Sequence, residues 1–286
     1  MSTQPSQRIL FDEPGPRGRR TIALATVAVA LLIIALVIVV LAQLDAHDQL
    51  EPQKWFFFTQ PGFATYMAYG IVGTFRATLV AAVFAFPFGL LLALGRLTRQ
   101  PLVHAVCVGW VEFFRSIPML LVVYAFLLAL PSYGLNLDIY WKLVIPMILV
   151  NSATTAEVFR AGILAVEKGQ SEAAQSLGMS ARMTMALVVL PQALRLVLPN
   201  LLTQLVSLLK DSTLGYVVSY PELMERGRIL TSYTHYLLQT YTIVAVIYVL
   251  LNFGLTRLAG YLQSRGNRKS AGHRGSRTEL AATTMA

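Results

Sequence analysis

Residues 168–191 read KGQSEAAQSLGMSARMTMALVVLP, a modestly polar interruption in a chain that is otherwise almost entirely apolar. Within it stand Glu172-Ala173-Ala174, three residues, Gly178, nine residues, Val188, one residue and Leu190-Pro191. The small side chains at 173 and 174 let another surface come close to a helix backbone. Gly178 falls where a helix must end or turn, because glycine enters left-handed backbone conformations at little cost. Ser180 is placed to cap a second helix by accepting from its free N–H groups. Leu190-Pro191 marks the return to apolar sequence. The segment predicts a helix–turn–helix knob at a membrane surface, open to a partner. A plain connecting loop is the other reading that these residues allow by themselves.

The surrounding composition supports the membrane. The chain has 286 residues, of which 56% are hydrophobic and 13% charged. A soluble domain is usually about 45–50% apolar and could not hide the excess. Residues 22–42 contain no charge, enough to cross a hydrocarbon core of about 30 Å at about 1.5 Å per residue. That stretch is too long for the apolar part of a cleaved leader, so 21–44 is expected to be a retained first span. Further spans are expected at 69–94, 110–130 with Pro118 inside, 139–166, 194–218 and 236–262. The expected fold is therefore an all-α membrane protein of about six transmembrane helices, with its core at 66–263. The polar tails 1–20 and 264–286 are expected to be unstructured.

A net charge of +9 raises the question of nucleic acid, but its distribution answers otherwise. The tails 1–20 and 263–286 hold nine Lys/Arg, and the 95–103 connection holds Arg96 and Arg99. The opposite connections, 43–65 and 131–138, hold only Lys54. The positive-inside bias puts both termini and the 168–191 knob in the cytoplasm of a multi-pass plasma-membrane protein. No nucleic-acid partner is expected. The single Cys107 excludes an intrachain disulfide.

The spacing around Glu172 resembles the EAA signature of permease subunits of ABC importers, with Val188 where isoleucine is usual. Phe114-Arg115-Ser116-Ile117-Pro118, Glu157-Val158-Phe159-Arg160-Ala161-Gly162-Ile163, Leu190-Pro191-Gln192-Ala193 and Ser207-Leu208-Leu209-Lys210-Asp211-Ser212 are similar to segments of the polar-amino-acid branch. With Pro14-Gly15-Pro16-Arg17 before the first span, the text is closest to permeases of bacterial, actinobacterial, glutamate importers. The resemblance implies a type I importer permease fold with a cytoplasmic coupling helix. It also implies alternating access, a cytoplasmic ABC ATPase dimer gripping Glu172, Ala173 and Ala174 before Gly178, a second permease subunit and an extracytoplasmic substrate-binding protein. Glutamate is the substrate it implies first; glutamine, aspartate and basic amino acids stay open.

The chain carries no chemistry of its own that the residues reveal. It lacks G-x-x-x-x-G-K-[S/T], H-E-x-x-H and G-x-S-x-G, and its four histidines are scattered. A non-catalytic subunit is expected, with no cofactor; the ATP and Mg of the implied cycle would sit in the partner ATPase. Ionisable groups inside spans are costly and mark cavities or pairs. Glu112 and Arg115 stand three apart and predict an intrahelical ion pair, as Glu157 and Arg160 also allow. Glu157, about 15 Å above the knob, is the candidate contact for a substrate ammonium, which the resemblance implies. Asn151, Thr154 and Thr155 could add neutral hydrogen bonds, and Ser116 replaces a residue that is often threonine in the family. Lys210-Asp211 brace the fifth span, and Lys210 is a further substrate candidate. Glu172 is expected in the first turn of its helix, where its carboxylate suits the dipole. An ion-coupled secondary transporter or channel, using Glu157 and Lys210, is the alternative.

Overall fold

A computed structural model describes the backbone of residues 15–284 and the side chains up to 261 except that of 259. Residues 1–14 of the expected N-terminal tail, and 285–286, lie outside the described residues. The described chain forms two units, divided between Thr59 and Gln60. The first holds α1 (Pro16–Ala46) and α2 (Pro52–Phe56). Helix α1 begins on Pro16, a residue pre-set for a first helical turn, and buries no side chain of its own. It starts inside the tail that was expected to be unstructured.

The second unit is a helical bundle. Its elements are α3 (Pro61–Arg96), α4 (Pro101–Ser116), α5 (Met119–Tyr124), α6 (Leu130–Ser132), α7 (Ile139–Leu164) and α8 (Lys168–Ser176). They continue with α9 (Ala181–Met183), α10 (Leu190–Asp211), α11 (Leu223–Thr234) and α12 (Leu237–Thr284). π-Helical turns join α5 to α6 and α9 to α10, and a 3-10 stretch, Ser212–Val218, extends α10.

Helix α3 packs along α7 through a stripe of small residues: Ala77, Ala81, Ala85, Gly89 and Ala93. Such stripes let membrane helices approach closely, where van der Waals contact rather than water exclusion drives association. At Gly89 a side-chain carbon would meet Ser152 O at 2.9 Å and Thr155 Cβ at 2.8 Å, so only glycine fits there. The two helices run parallel. Arg76 lies by Tyr140, Gly89 by Ser152 and Arg96 by Glu157. Helix α10 runs antiparallel to α7, pairing Asp211 with Asn151 at one end and Val197 with Gly162 at the other.

Parallel α3 and α7 require the chain between them to return across the bundle. It does so through α4 and the α5–α6 segment, which meet at an angle of 98°. The third span, expected at 110–130 with Pro118 inside, is broken at that proline. Ile117, extended at φ −100° and ψ 128°, obeys the restriction on a residue before proline, and Pro118 ends α4 instead of being absorbed. Among the described residues five helices are long and apolar enough to cross a membrane, and counting this bent pair makes six.

Two other boundaries differ from expectation. The fifth span is a helical run from Ala181 to Val218, not from 194. Pro191 lies within it because the preceding π-turns, Thr184–Val189, open the spiral where its ring would strike a carbonyl. The backbone after 262 continues α12 to Thr284 instead of leaving the helix. Its Lys, Arg, Gln and Ala are good helix formers.

Candidate functional site

The knob is the most regular local feature. Its first helix, α8, ends on Ser176, and Gly178 follows at φ +81°. Gly178 N–H donates to Gln175 O at 2.9 Å and Met179 N–H to Ala174 O at 3.2 Å, the paired closure of a Schellman turn. Ser180 Oγ then accepts from Met183 N–H at 3.3 Å and caps α9. Glu172 stands in the second turn, correcting its expected place in the first. Glu167 is the residue before the helix, and no acidic side chain occupies the first turn.

The knob has an attached side and a free side. Ala174 is buried, and Gln192 donates to the side chain of Gln170 at 3.2 Å, tying α8 to α10. Beneath it Ile163, Val189 and Ala193 pack with Leu94, Leu97, Val166 and Met185, gathering the ends of α3 and α7 and the start of the fifth span. Glu172 and Ala173 are exposed, and Leu177 is 85% exposed. Ala173 and Leu177, four apart, share one face, and Glu172 flanks it.

The second site is a four-charge cluster at the same end of the bundle. Glu157 accepts from Arg96 at 2.7 Å, Arg115 at 2.9 Å and Arg160 at 3.3 Å. Arg96 closes α3, Arg115 lies in the last turn of α4, and Arg160 is one turn along α7. Three helices are therefore fastened through one carboxylate. Glu157 is seven residues from Leu164, roughly 10 Å by helical rise, so it stands close to the knob end of its helix. The expected Glu112–Arg115 pair is corrected: Arg115 reaches across to α7 instead. Arg96 was read only as a loop charge. A basic residue closing a long apolar run was its sole local signal.

The remaining candidates separate by burial. Thr154 shares the partly open face of α7 with Glu157, and Ser116, exposed, follows Arg115 on α4. Asn151 is buried, donating to Asp211 at 3.1 Å and accepting from Gln204 at 2.6 Å, so it joins α7 to α10. Thr155 is buried at the contact with α3, its hydroxyl without a partner. Lys210 is exposed beside Asp211 and outside the arginine cluster. Thr154 lies on the Glu157 side of α7, while the Ser116 hydroxyl donates to Phe113 O at 2.8 Å within α4; Asn151, Thr155 and Lys210 take no part in the arginine cluster. Among the described residues no group of three metal-ligating side chains occurs.

Residues 85–268 match the family described as binding-protein-dependent transport system inner membrane component. A glutamate transport system permease of Corynebacterium glutamicum is 35% identical over 77% of this chain and 82% of its own length. A probable glutamine ABC transporter permease of Bacillus subtilis is 31% identical over 68% of this chain and 91% of its own. Among solved structures, a permease chain of an amino acid ABC transporter crystallised with histidines superposes with a TM-score of 0.69 at 29% identity, covering 73% of this chain and 98% of that one. With the bundle, its exposed knob and the EAA spacing, these likenesses assign the chain: it belongs to the inner membrane permease components of binding-protein-dependent ABC transport systems.

Proposed function

We propose that this chain is the permease of an ATP-driven importer for an acidic amino acid, glutamate first, with glutamine and aspartate as neighbours in specificity. The names of relatives that carry glutamate or glutamine support this class. The observation that carries it furthest is the composition of the four-charge cluster. Three guanidiniums surround one carboxylate, an excess of positive charge that suits a substrate with two carboxylates. Glu157 then orients arginines instead of meeting the substrate ammonium. Arg115, with Ser116 and Thr154 beside it, is the arm offered to substrate.

In this reading a separate cytoplasmic ATPase pair docks on Glu172, Ala173 and Leu177. A second permease completes the pathway, and an extracytoplasmic receptor delivers the amino acid. The chain itself hydrolyses nothing. Movement of α8 passes into α7 and the fifth span, to which it is bound by Ala174 and Gln170, and the transporter alternates between two states. Both termini and α8 lie in the cytoplasm by the charge bias. The ion-coupled alternative has no comparable support, since Glu157 is engaged by three arginines and Lys210 lies exposed outside that cluster.

Uptake measured in a strain whose own acidic-amino-acid importers are deleted tests the assignment. The chain, expressed with the genes beside its own, should restore ATP-dependent glutamate uptake, and Arg115→Gln should reduce glutamate uptake more than glutamine uptake. Equal loss for both substrates would remove the cluster from the specificity site. Uptake that persists without any ATPase would sink the importer reading itself.

A further inference from the structure

At the end of the bundle away from α8, Arg76 of α3 and the first turn of α7 enclose a cavity of about 380 Å3, bounded by Arg76, Asp138, Tyr140, Trp141 and Tyr220. Its walls are fixed. The Arg76 guanidinium lies 4.8 Å above the centre of the Tyr140 ring, and the Tyr140 and Tyr220 rings are 5.5 Å apart. The Tyr140 hydroxyl donates to Arg76 O at 3.4 Å, and that of Tyr220 to Gly73 O at 3.2 Å. Asp138, also in the lining, caps α7 by accepting from Tyr140 N–H at 2.9 Å. Among the described residues Arg76 forms no ion pair. A cation and an anion thus share one cavity without neutralising each other.

The direction in which the cavity opens follows from α3. Tyr69, Val72, Arg76, Leu79, Val83 and Leu91 are all exposed, at steps of three, four or eight residues that continue one face. Exposed apolar side chains in a row along a spanning helix meet lipid tails. A guanidinium in that row needs a polar partner, and near the membrane surface a lipid phosphate is within reach. Trp141 and the two tyrosines are the side chains that settle at the boundary between tails and headgroups.

We infer that this cavity is a phospholipid headgroup site in the leaflet away from α8. Arg76 holds the phosphate through paired N–H donors, and Asp138 faces the ammonium of an aminophospholipid such as phosphatidylethanolamine. The acyl chains lie along Leu79 and Val83, on the α8 side of Arg76.

Native mass spectrometry of the full-length chain, titrated with phosphatidylethanolamine or phosphatidylglycerol of identical acyl chains, tests the site. The wild-type chain should bind the first phosphatidylethanolamine several-fold more tightly than the first phosphatidylglycerol. Arg76→Gln should weaken both at least five-fold, whereas Arg76→Lys should keep most of the binding. Asp138→Asn, which retains a capping side chain and so the fold, should erase the preference between the two lipids. Wild-type affinities in both Arg76→Gln and Asp138→Asn would overturn the inference. So would soluble glycerophosphoethanolamine or free glutamate competing as well as the lipid, or a photo-crosslinker at position 141 capturing a second permease chain.

Discussion

Arg96, the last residue of α3, donates to Glu157 of α7 at 2.7 Å, and so locks the ends of two parallel helices that no local motif connects. Arg96 is the most enclosed arginine in the cluster, with a side chain 11% exposed, and Glu157 is 28% exposed. Removing the carboxylate from among three guanidiniums leaves like charges facing each other at reduced solvation. Glu157→Gln should therefore lower stability by about 1–3 kcal/mol, below the loss for a fully buried pair because water reaches the site. In a thermal melt in detergent, Arg96→Gln/Glu157→Gln should be more stable than the sum of the single losses allows. Additive losses would mean that the two side chains do not work together.

The free face of α8 should behave in the opposite way. Glu172→Lys and Leu177→Ser touch nothing within the chain, so melting should stay within about 0.5 kcal/mol of wild type. Coupling to ATP hydrolysis should fall at least ten-fold, read as substrate-stimulated ATPase in the reconstituted transporter. Gly178→Ala separates fold from docking further. No atom would crowd the added carbon, but φ +81° strains any L side chain, so α8 should lose about 1 kcal/mol of local stability. Gly178→Asn should lose less, because asparagine tolerates the left-handed region.

At Gly162 a side-chain carbon would run into Val197 Cγ1 on the antiparallel α10, whereas at Gly89 it would meet the Ser152 carbonyl. A side chain can be cut back, and a backbone oxygen cannot. Gly162→Ala should destabilise by about 1–3 kcal/mol and be largely rescued by Val197→Ala. Gly89→Ala should be as costly and find no comparable rescue in Thr155→Ser. Melting temperatures of the single and double variants decide this, and a Gly162→Ala chain that Val197→Ala leaves unimproved would refute the packing.

Local chemistry explains why part of this was legible beforehand. The Gly178 turn, the Ser180 cap and the length of the spans each depend on residues a few positions apart, and sequence reports such neighbours directly. Pro118 and Pro191 show where that fails. Both are prolines in apolar text, yet one breaks a span at 98° and the other is accommodated after π-turns. The difference lies in the backbone before them, extended at Ile117 and π-helical over Thr184–Val189. Arg115 had a nearby partner in Glu112 but pairs across helices with Glu157, because the chain reversal that joins them is a tertiary fact. The same holds for α11, whose short polar text between the last two spans did not announce a helix.

The start of α11 supplies a pH dependence with a definite sign. Glu222, between the last two spans, is fully buried, caps α11 by accepting from Met224 N–H at 2.9 Å and Glu225 N–H at 2.7 Å, and accepts from the Tyr248 hydroxyl at 2.6 Å. Those bonds favour the carboxylate, but burial outweighs them and pushes the group from 4.5 up to about 7. The folded chain therefore binds a proton more tightly than the unfolded chain. The stability this adds is fully present below about pH 4.5 and is lost as pH rises through about 7, by at most about 3 kcal/mol. Glu222→Gln keeps an oxygen for the cap and cannot ionise. Between pH 5 and 8.5 the wild-type melting temperature should fall relative to that of Glu222→Gln, with the gap widening mainly up to pH 7 and little beyond pH 8. A parallel pair of curves across that range would mean that this carboxyl titrates at its ordinary value and that α11 is held by the cap alone.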